Sequence, residues 1–361
     1  MTLGIFLALG DSFTNLKKNG QDASFKKLYI TNFAKNFDRV YIFTYKIENT
    51  ANLPKNVIVL TPKKEIHRYI YGLIFPFIHA QKLRECDVIR AYHMTGALPA
   101  IITSLFFSKP FAFNFAYDYV EFAKLENKMM QAILFYFFKP IAIAAASAVM
   151  VANRKIEKDL PTNKVYYLPN GVNINLFKPA IKKKSMQIKN ILSVGRLETQ
   201  KNFKNLIKAL SGLNVRLTIV GEGSLKTKLK FLAKKMNVDL KIKTRVNFFQ
   251  MPSTYRKSDV FVSSSLIEGS PKALLEAMST GLAIVATNVE GNKELINNEI
   301  NGILCKTSVK SIHKSVSELI KDRKKTAKLG RMARATVKSK YNLDTLLNYE
   351  VKILKQLAKN N

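Results

Sequence analysis

At 361 residues, 47% of them hydrophobic, the chain is long enough for two domains of ordinary size, each with a real core. Two cysteines, Cys86 and Cys305, stand far apart without a metal-binding spacing, which argues against a disulfide-built secreted fold and fits a reducing cytoplasm. The formal charge of +34 admits three readings: lysine spread through the whole composition, attraction to an anionic membrane surface at about 1 kcal/mol per well-placed basic residue, or nucleic-acid binding. With no zinc spacing, no aromatic RNP-like run and no basic recognition helix in the sequence, no specific nucleic acid is expected.

In chain order, Met1 to Leu9 is apolar but too short for a signal peptide and lacks a basic start; Leu3 to Leu9 reads as a first strand. A loop through Gly20 leads to a helix from about Asp22 to Asn36 and a strand from Arg39 to Thr44. Short strands are expected at Val57 to Leu60 and at Asp87 to Ala91, the latter followed by a helix near Ala97 to Phe107. Phe111 to Phe115 is a strand ending at Ala116-Tyr117-Asp118. The longest apolar stretch, Ala132 to Ala152, tempts a transmembrane reading but is broken by Lys139 and Pro140. A helix to about Ala145 and a strand at Ala148 to Val151 describe it better, and Val165 to Leu168 closes this half. The boundary falls in Pro169 to Lys189, where Pro169, Gly171, Pro179 and Lys182-Lys183-Lys184 are poor core material. Later strands are expected at Asn190 to Val194, Arg216 to Val220, Val246 to Phe248, Val260 to Val262 and Ala283 to Ala286, then a helical region from about Ser311 to Lys359. Alternation of this kind argues for parallel α/β layers.

The segment Ile267 to Met278 is the most informative. Glu268 and Glu276 stand eight positions apart, just after a buried strand. Ser270 suits an N-cap, Pro271 the first helical position and Gly281 the C-terminal cap. The expected product is a strand, a tight turn and a helix whose N-terminus faces a cleft, where free amides and the helix dipole attract anions. One carboxylate could bind sugar hydroxyls, the other a ribose. Each piece alone has an ordinary reading: a loop acid, a solvated helix acid, a common helix start. Their conjunction carries the information.

This E-x7-E arrangement resembles that of the family 4 retaining glycosyltransferases. Similar stretches run in family order from Leu168 to Cys305: Leu168-Pro169-Asn170-Gly171-Val172-Asn173 with Phe177-Lys178-Pro179, then Ile191 to Leu197 with Gln200-Lys201-Asn202, then Leu217 to Gly223, then Ala286 to Gly291 with Glu294 and Gly302. The resemblance covers the C-terminal half strongly and the N-terminal half weakly. It implies the GT-B architecture, an α/β fold of two Rossmann-like, doubly wound domains facing across a nucleotide-sugar cleft. The corresponding division is residues 1–178 for the acceptor domain, 179–340 for the donor domain, and 341–361 for a helix crossing back to the first.

Retaining transfer from a nucleotide-diphosphate sugar requires the leaving diphosphate to be neutralised, and the resembling family does this with positive side chains and helix N-termini rather than a metal. No metal and no cofactor are therefore expected. Arg196, beyond Gly195 at a strand's C-terminal end, and Lys201 in the next loop suit the diphosphate. The resemblance assigns Glu276 to ribose hydroxyls, Glu268 to the donor sugar, and the backbone around Gly269, Ser270, Lys272, Ala273 and Leu274 to hydroxyls and phosphate. Ser270 and Lys272 depart from the family's usual Phe and Gly, which leaves the sugar open; Gln250-Met251 replaces a common glycine and leaves the base open. Gly20 stands where the family has a glycine pair near the phosphates, or is a plain loop glycine. Asp118 could contact acceptor or donor sugar, or cap the next helix. His93, beyond another strand end, reads more simply as a packing or hydrogen-bonding residue.

The acceptor implied is a lipid-linked sugar or a glycan at the cytoplasmic face of the membrane. Tyr69 to Phe77 and Met129 to Phe138 are apolar and aromatic and would suit a peripheral anionic membrane surface, or else core packing. An enzyme making a soluble sugar, of sucrose- or trehalose-synthase type, is the alternative. A nucleic-acid binder or an inactive relative fits less well.

Overall fold

A computed structural model describes residues 1–18, 20–48, 52–115, 119–125, 128–160, 162–180, 190–244 and 246–360. The chain divides into two compact units, Met1–Pro169 with Leu346–Asn361, and Asn170–Thr345.

The first unit holds seven parallel strands: β1 (Thr2–Phe6), β2 (Arg39–Phe43), β3 (Val57–Leu60), β4 (Val88–Ala91), β5 (Phe111–Phe115), β6 (Ala148–Val151) and β7 (Val165–Tyr167). Their order is β3-β2-β1-β4-β5-β6-β7. Strands buried on both faces read as continuous apolar runs, as β6 does. Alternate residues serve opposite faces: Phe6 joins a core with Tyr71, Phe75, Ala97 and Ala142, while Leu3 and Ile5 pack with Phe33, Met150 and Leu354. Leu354 comes from the last helix, Leu343–Lys359, which is fastened to β4 by a buried ion pair between Arg90 and Glu350. The strand expected to reach Leu9 stops at Phe6. There Asp11 N–H closes a turn onto Ala8 C=O at 2.8 Å, with Gly10 at φ +83°. The segment from Asp22 to Asn36 is helical throughout, but Phe25–Ile30 is π-helical and Thr31 Oγ1 donates back to Lys26 C=O at 3.0 Å.

The second unit holds six parallel strands: β8 (Asn190–Val194), β9 (Arg216–Val220), β10 (Asp239–Lys243), β11 (Val260–Ser263), β12 (Ala283–Thr287) and β13 (Ile303–Cys305). Their order is β10-β9-β8-β11-β12-β13. Val246 to Phe248 is not the strand it reads as. Asn247 Oδ1 accepts from Phe249 N–H at 2.9 Å and opens a 3-10 turn at Phe248–Gln250. The edge strand is Asp239–Lys243, whose polar sequence suits an edge half open to water. Residues 170–178 also belong with this unit rather than the first. Phe177 is fully buried, 5.5 Å from the Phe248 ring and 5.8 Å from Tyr255, and Ser279 Oγ donates to its carbonyl at 2.8 Å.

Both sheets share one topological consequence. The chain runs outward from a central strand to one edge, then returns to that strand's other side. The reversal falls between β1 and β4 in the first unit and between β8 and β11 in the second. Loops diverge there at the carboxyl ends of the strands, which is where open α/β sheets form ligand crevices.

Candidate active site

The loops leaving β8 and β11 meet over the switch point of the second sheet. Leaving β8, the chain passes Gly195, whose N–H donates to Val220 C=O at 3.0 Å, and Arg196, which is exposed. It then forms a short 3-10 turn, Thr199–Lys201. The Lys201 stem folds back across Gly195: a Cβ there would stand 2.9 Å from Lys201 Cε. Lys201 Nζ reaches Glu268 Oε1 at 2.5 Å, and the two side chains are 18% and 10% exposed. Ser265 Oγ donates to the same oxygen at 2.7 Å. Arg196 Nη2 donates to Gln200 Oε1 at 3.1 Å, and Gln200 Nε2 donates to Ile267 C=O at 3.0 Å, so Gln200 ties the arginine loop to the glutamate loop.

Backbone contacts hold the glutamate loop. Gly291 N–H donates to Glu268 C=O at 3.0 Å, and a Cβ on Gly291 would lie 2.6 Å from Gly269 C=O, so only glycine lets the two loops touch. Asn170 Nδ2 donates to Ser270 C=O at 2.9 Å. With that carbonyl engaged, the helix starts one residue later than expected. Pro271 is extended (φ −76°, ψ 98°) in the N-cap position, and its carbonyl accepts from Leu274 N–H at 3.1 Å. A proline in that position offers no side-chain cap to the helix. The helix Lys272–Ser279 therefore opens with amides that its own turns leave unused, while Lys272 is exposed and Ala273 half-buried beside them. At its far end Gly281 takes φ +72°, and Gly281 N–H to Met278 C=O (3.0 Å) with Leu282 N–H to Ala277 C=O (3.2 Å) forms a Schellman cap.

Glu276 lies one turn into this helix, with Leu274 buried on the core side. Tyr255 OH donates to Glu276 Oε2 at 2.7 Å. Burial pushes the Glu276 carboxyl up to about 7, against the opposing pull of the Tyr255 hydrogen bond and the Lys272 charge. The residue as a whole is half-buried, not fully buried.

The structure thus brings Gly195, Lys201 and Glu268 into contact and ties Arg196 to them through Gln200. Glu276 has a separate anchor, Tyr255. Gly20 lies in the first unit at φ +69°, with open space where a Cβ would project. Asp118 falls outside the described residues. His93 follows β4 at the first unit's switch point, with φ +61° and its ring Nδ1 3.0 Å from Tyr119 OH. Sequence reasoning missed Tyr255, Gln200 and Ser265. Tyr255 acts on Glu276 from 21 residues away, whereas Ser265 and Gln200 lie three and four residues from Glu268 and Arg196, and only the folded loops show that these side chains bond to them.

Residues 176–336 match the family described as Glycosyl transferases group 1, and this part of the chain is a domain of that kind. An Escherichia coli UDP-Gal:alpha-D-GlcNAc-diphosphoundecaprenol alpha-1,3-galactosyltransferase is 31% identical over 210 residues, 51% of this chain and 54% of that protein. A Campylobacter jejuni N-acetylgalactosamine-N,N'-diacetylbacillosaminyl-diphospho-undecaprenol 4-alpha-N-acetylgalactosaminyltransferase is 30% identical over 195 residues, 51% of each. The chain spans about half the length of the curated relatives it matches. Among solved structures, sucrose-phosphate synthase from Thermosynechococcus elongatus superposes with a TM-score of 0.82 over 100% of both chains at 17% identity. Anabaena Alr3699/HepE in complex with UDP gives 0.76 over 99% of this chain and 100% of that one at 18% identity. Likeness at these identities establishes the fold, two Rossmann-like parallel α/β domains of the GT-B class.

Proposed function

We propose that the protein is a retaining glycosyltransferase that moves a sugar from a nucleotide-diphosphate donor to a lipid-linked or glycan acceptor at the cytoplasmic face of the membrane. The observation that carries this reading is the Lys201–Glu268 pair, set at the switch point of the second sheet and flanked by Arg196 and by an open helix N-terminus. Two cations and unused amides on two neighbouring loops suit a diphosphate whose negative charge grows as the glycosidic bond breaks. Lys201, parked on Glu268 without ligand, turns to the phosphates when donor binds and frees Glu268 for the sugar. Glu276, oriented by Tyr255, accepts from ribose hydroxyls. The acceptor hydroxyl enters on the face from which the diphosphate leaves. Because side-chain and helix charges serve the leaving group, the transfer is metal-independent. Two of the curated relatives are named for diphosphoundecaprenol-linked acceptors, which supports the lipid-linked choice.

The test is a thermal-shift screen of UDP, GDP, ADP and their sugars at low and moderate salt, followed by transfer to a polyprenyl-diphosphate sugar. A salt-resistant stabilisation by one nucleotide, transfer with retained anomeric configuration, and activity surviving EDTA are expected. A response that salt erases for every anion alike would reduce the site to a basic surface collecting phosphates. Full loss in EDTA restored by a divalent ion would overturn metal independence. Efficient transfer to a free sugar with none to a lipid-linked one would favour the soluble-sugar synthase.

A further inference from the structure

One face of the first sheet is covered by three helices, Arg68–Ile78, His93–Phe107 and Met129–Ala145. Their inward residues, among them Tyr71, Phe75, Ala97 and Ala142, complete the core beneath. In an ordinary three-layer domain the outward side of such helices is polar. Here it is apolar as well. Ile70 is 55% exposed, Phe77 49%, Phe106 65%, Met130 74%, Leu134 64% and Phe137 65%. The patch is continuous: the helices pack side by side, and the Phe77 and Phe106 rings meet edge to face at 5.0 Å. On the third helix Met130, Leu134, Phe137 and Ile141 recur at three- and four-residue steps, so a whole stripe points outward. Apolar side chains exposed in a contiguous face, rather than scattered singly, mark an interaction surface.

The charges select the occupant. None of the three helices contains an acidic residue. Exposed cations border them: Arg68 opens the first helix, Arg84 lies with its guanidinium 5.6 Å from the Phe107 ring, and Lys124 precedes the third helix. The acids nearest to the three helices in sequence, Glu65, Asp87 and Glu126, lie outside them. A second copy docked on the same face by two-fold symmetry would bring this cationic border against itself. A surface of acyl chains beneath anionic headgroups complements both features. No described helix is long and apolar enough to cross a membrane, so the match is to a helix layer lying in the interface.

We propose that this face docks onto an anionic phospholipid bilayer, with Ile70, Phe77, Phe106, Met130, Leu134 and Phe137 entering the headgroup–acyl boundary and Arg68, Arg84 and Lys124 meeting lipid phosphates. The inference deepens the membrane-face reading given above and rests on it for its use, placing the acceptor-side unit against the surface that carries a lipid-linked substrate.

The experiment compares the full chain with Leu134→Gln/Phe137→Gln in flotation with vesicles of phosphatidylcholine alone and of phosphatidylcholine mixed with phosphatidylglycerol, without nucleotide. Glutamine leaves the net charge of the protein untouched, so bulk attraction of a basic protein to anionic lipid is held constant. The wild type should float with the mixed vesicles at moderate salt, and the double variant should lose at least tenfold in partition. Arg68→Gln/Arg84→Gln should lose binding to mixed vesicles with little change toward pure phosphatidylcholine. Both targets of the first variant are solvent-exposed, and an unchanged melting temperature and nucleotide-induced shift confirm that it folds. Equal flotation of wild type and double variant would overturn the proposal. So would light scattering that shows a wild-type dimer, a monomeric double variant and the same vesicle binding for both, since the face would then belong to a second copy. Donor hydrolysis without vesicles is a separate readout: its absence would sink the transferase reading and leave the docking result standing.

Discussion

Each unit places a cation–carboxylate pair next to the central strands of its sheet, and the two pairs are built for different purposes. In the first unit Arg90 and Glu350 are 3% and 5% exposed. The arginine also donates to Ala91 C=O at 2.6 Å and to Asn114 Oδ1 at 3.3 Å, and its guanidinium lies 4.6 Å from the Tyr92 ring. Its donors are committed to the protein, and the pair clasps the C-terminal helix to β4. In the second unit Lys201 and Glu268 are 18% and 10% exposed, and they sit where loops diverge at a strand end. Lysine is a compact point charge on a flexible stem and can change partner; a planar arginine locked by several acceptors cannot. The contrast separates charge spent on holding the fold from charge kept for a ligand.

Breaking the first pair should have the largest effect. Arg90→Ala leaves a buried carboxylate without its partner, expected to cost about 3–5 kcal/mol. On a unit of this size that lowers the melting temperature by on the order of 10 °C. Scanning calorimetry in the presence of whichever nucleotide stabilises the protein in the thermal-shift screen should show the first unit melting early while the nucleotide still protects the second. Arg90→Met combined with Glu350→Leu should recover most of the loss, and failure of both results would mean that the clasp is not what holds the last helix.

Lys201→Ala should behave in the opposite way. A transition-state donor of this kind is worth about a hundred- to a thousandfold in kcat, whereas the melting temperature should move little. If stability fell as far as it does for Arg90→Ala while turnover held, Lys201–Glu268 would be a second clasp. Glu276→Ala should lower nucleotide affinity by roughly tenfold to a hundredfold, the worth of a hydrogen bond to a charged acceptor. Titration calorimetry reads this directly, and unchanged affinity would remove Glu276 from the ribose.

The smallest effect concerns the pH dependence of stability. The folded Glu276 carboxyl titrates at about 7, above its ordinary 4.5, so the folded state holds that proton more tightly than the unfolded chain. The group therefore begins to destabilise the fold above 4.5, and its full effect is reached once pH has risen through about 7. Glu276→Gln keeps an acceptor for Tyr255 and removes the ionisation. It should be about 1–2 kcal/mol more stable than wild type at pH 8, after allowance for the residue's partial contact with solvent, and nearly equal to it at pH 5. Melting curves at the two pH values check this; a constant difference would mean that the carboxyl is not shifted.

Much of this was legible in the chain. Buried strands such as Asn190 to Val194 and Ala148 to Val151 could be read to the residue, because a parallel strand covered on both faces is a short, largely apolar run. The edge strand Asp239–Lys243 was not: it is polar on its open side, and the apolar Val246 to Phe248 nearby looked like the better strand, although the apolar edge strand Val57–Leu60 was read to the residue. The boundary near Lys178 was misplaced because Pro and Gly signal irregular backbone, and irregular backbone can still carry a core residue such as Phe177. Glu268, Glu276, Arg196 and Lys201 were singled out as what the resemblance to the glycosyltransferase family implies, carried by short stretches of sequence around each of them. Tyr255 reaches Glu276 from another helix, and Gln200 reaches Ile267 across 67 residues of chain.

The sequence by itself determined the alternation of strand and helix, the positions of the central strands, and the residues whose chemistry suits an anionic donor. Those properties depend on periodicity, turn chemistry and side-chain type over a few neighbouring residues. Only the tertiary structure decided that β8 lies beside β11, so that Lys201 meets Glu268 across 67 residues of chain. Only it decided that Met130, Leu134 and Phe137, apolar residues equally suited to a core, face outward. A helix that is apolar all round carries no internal mark of which side the sheet will cover. That choice is made when the layers pack, by which residues reach the core beneath.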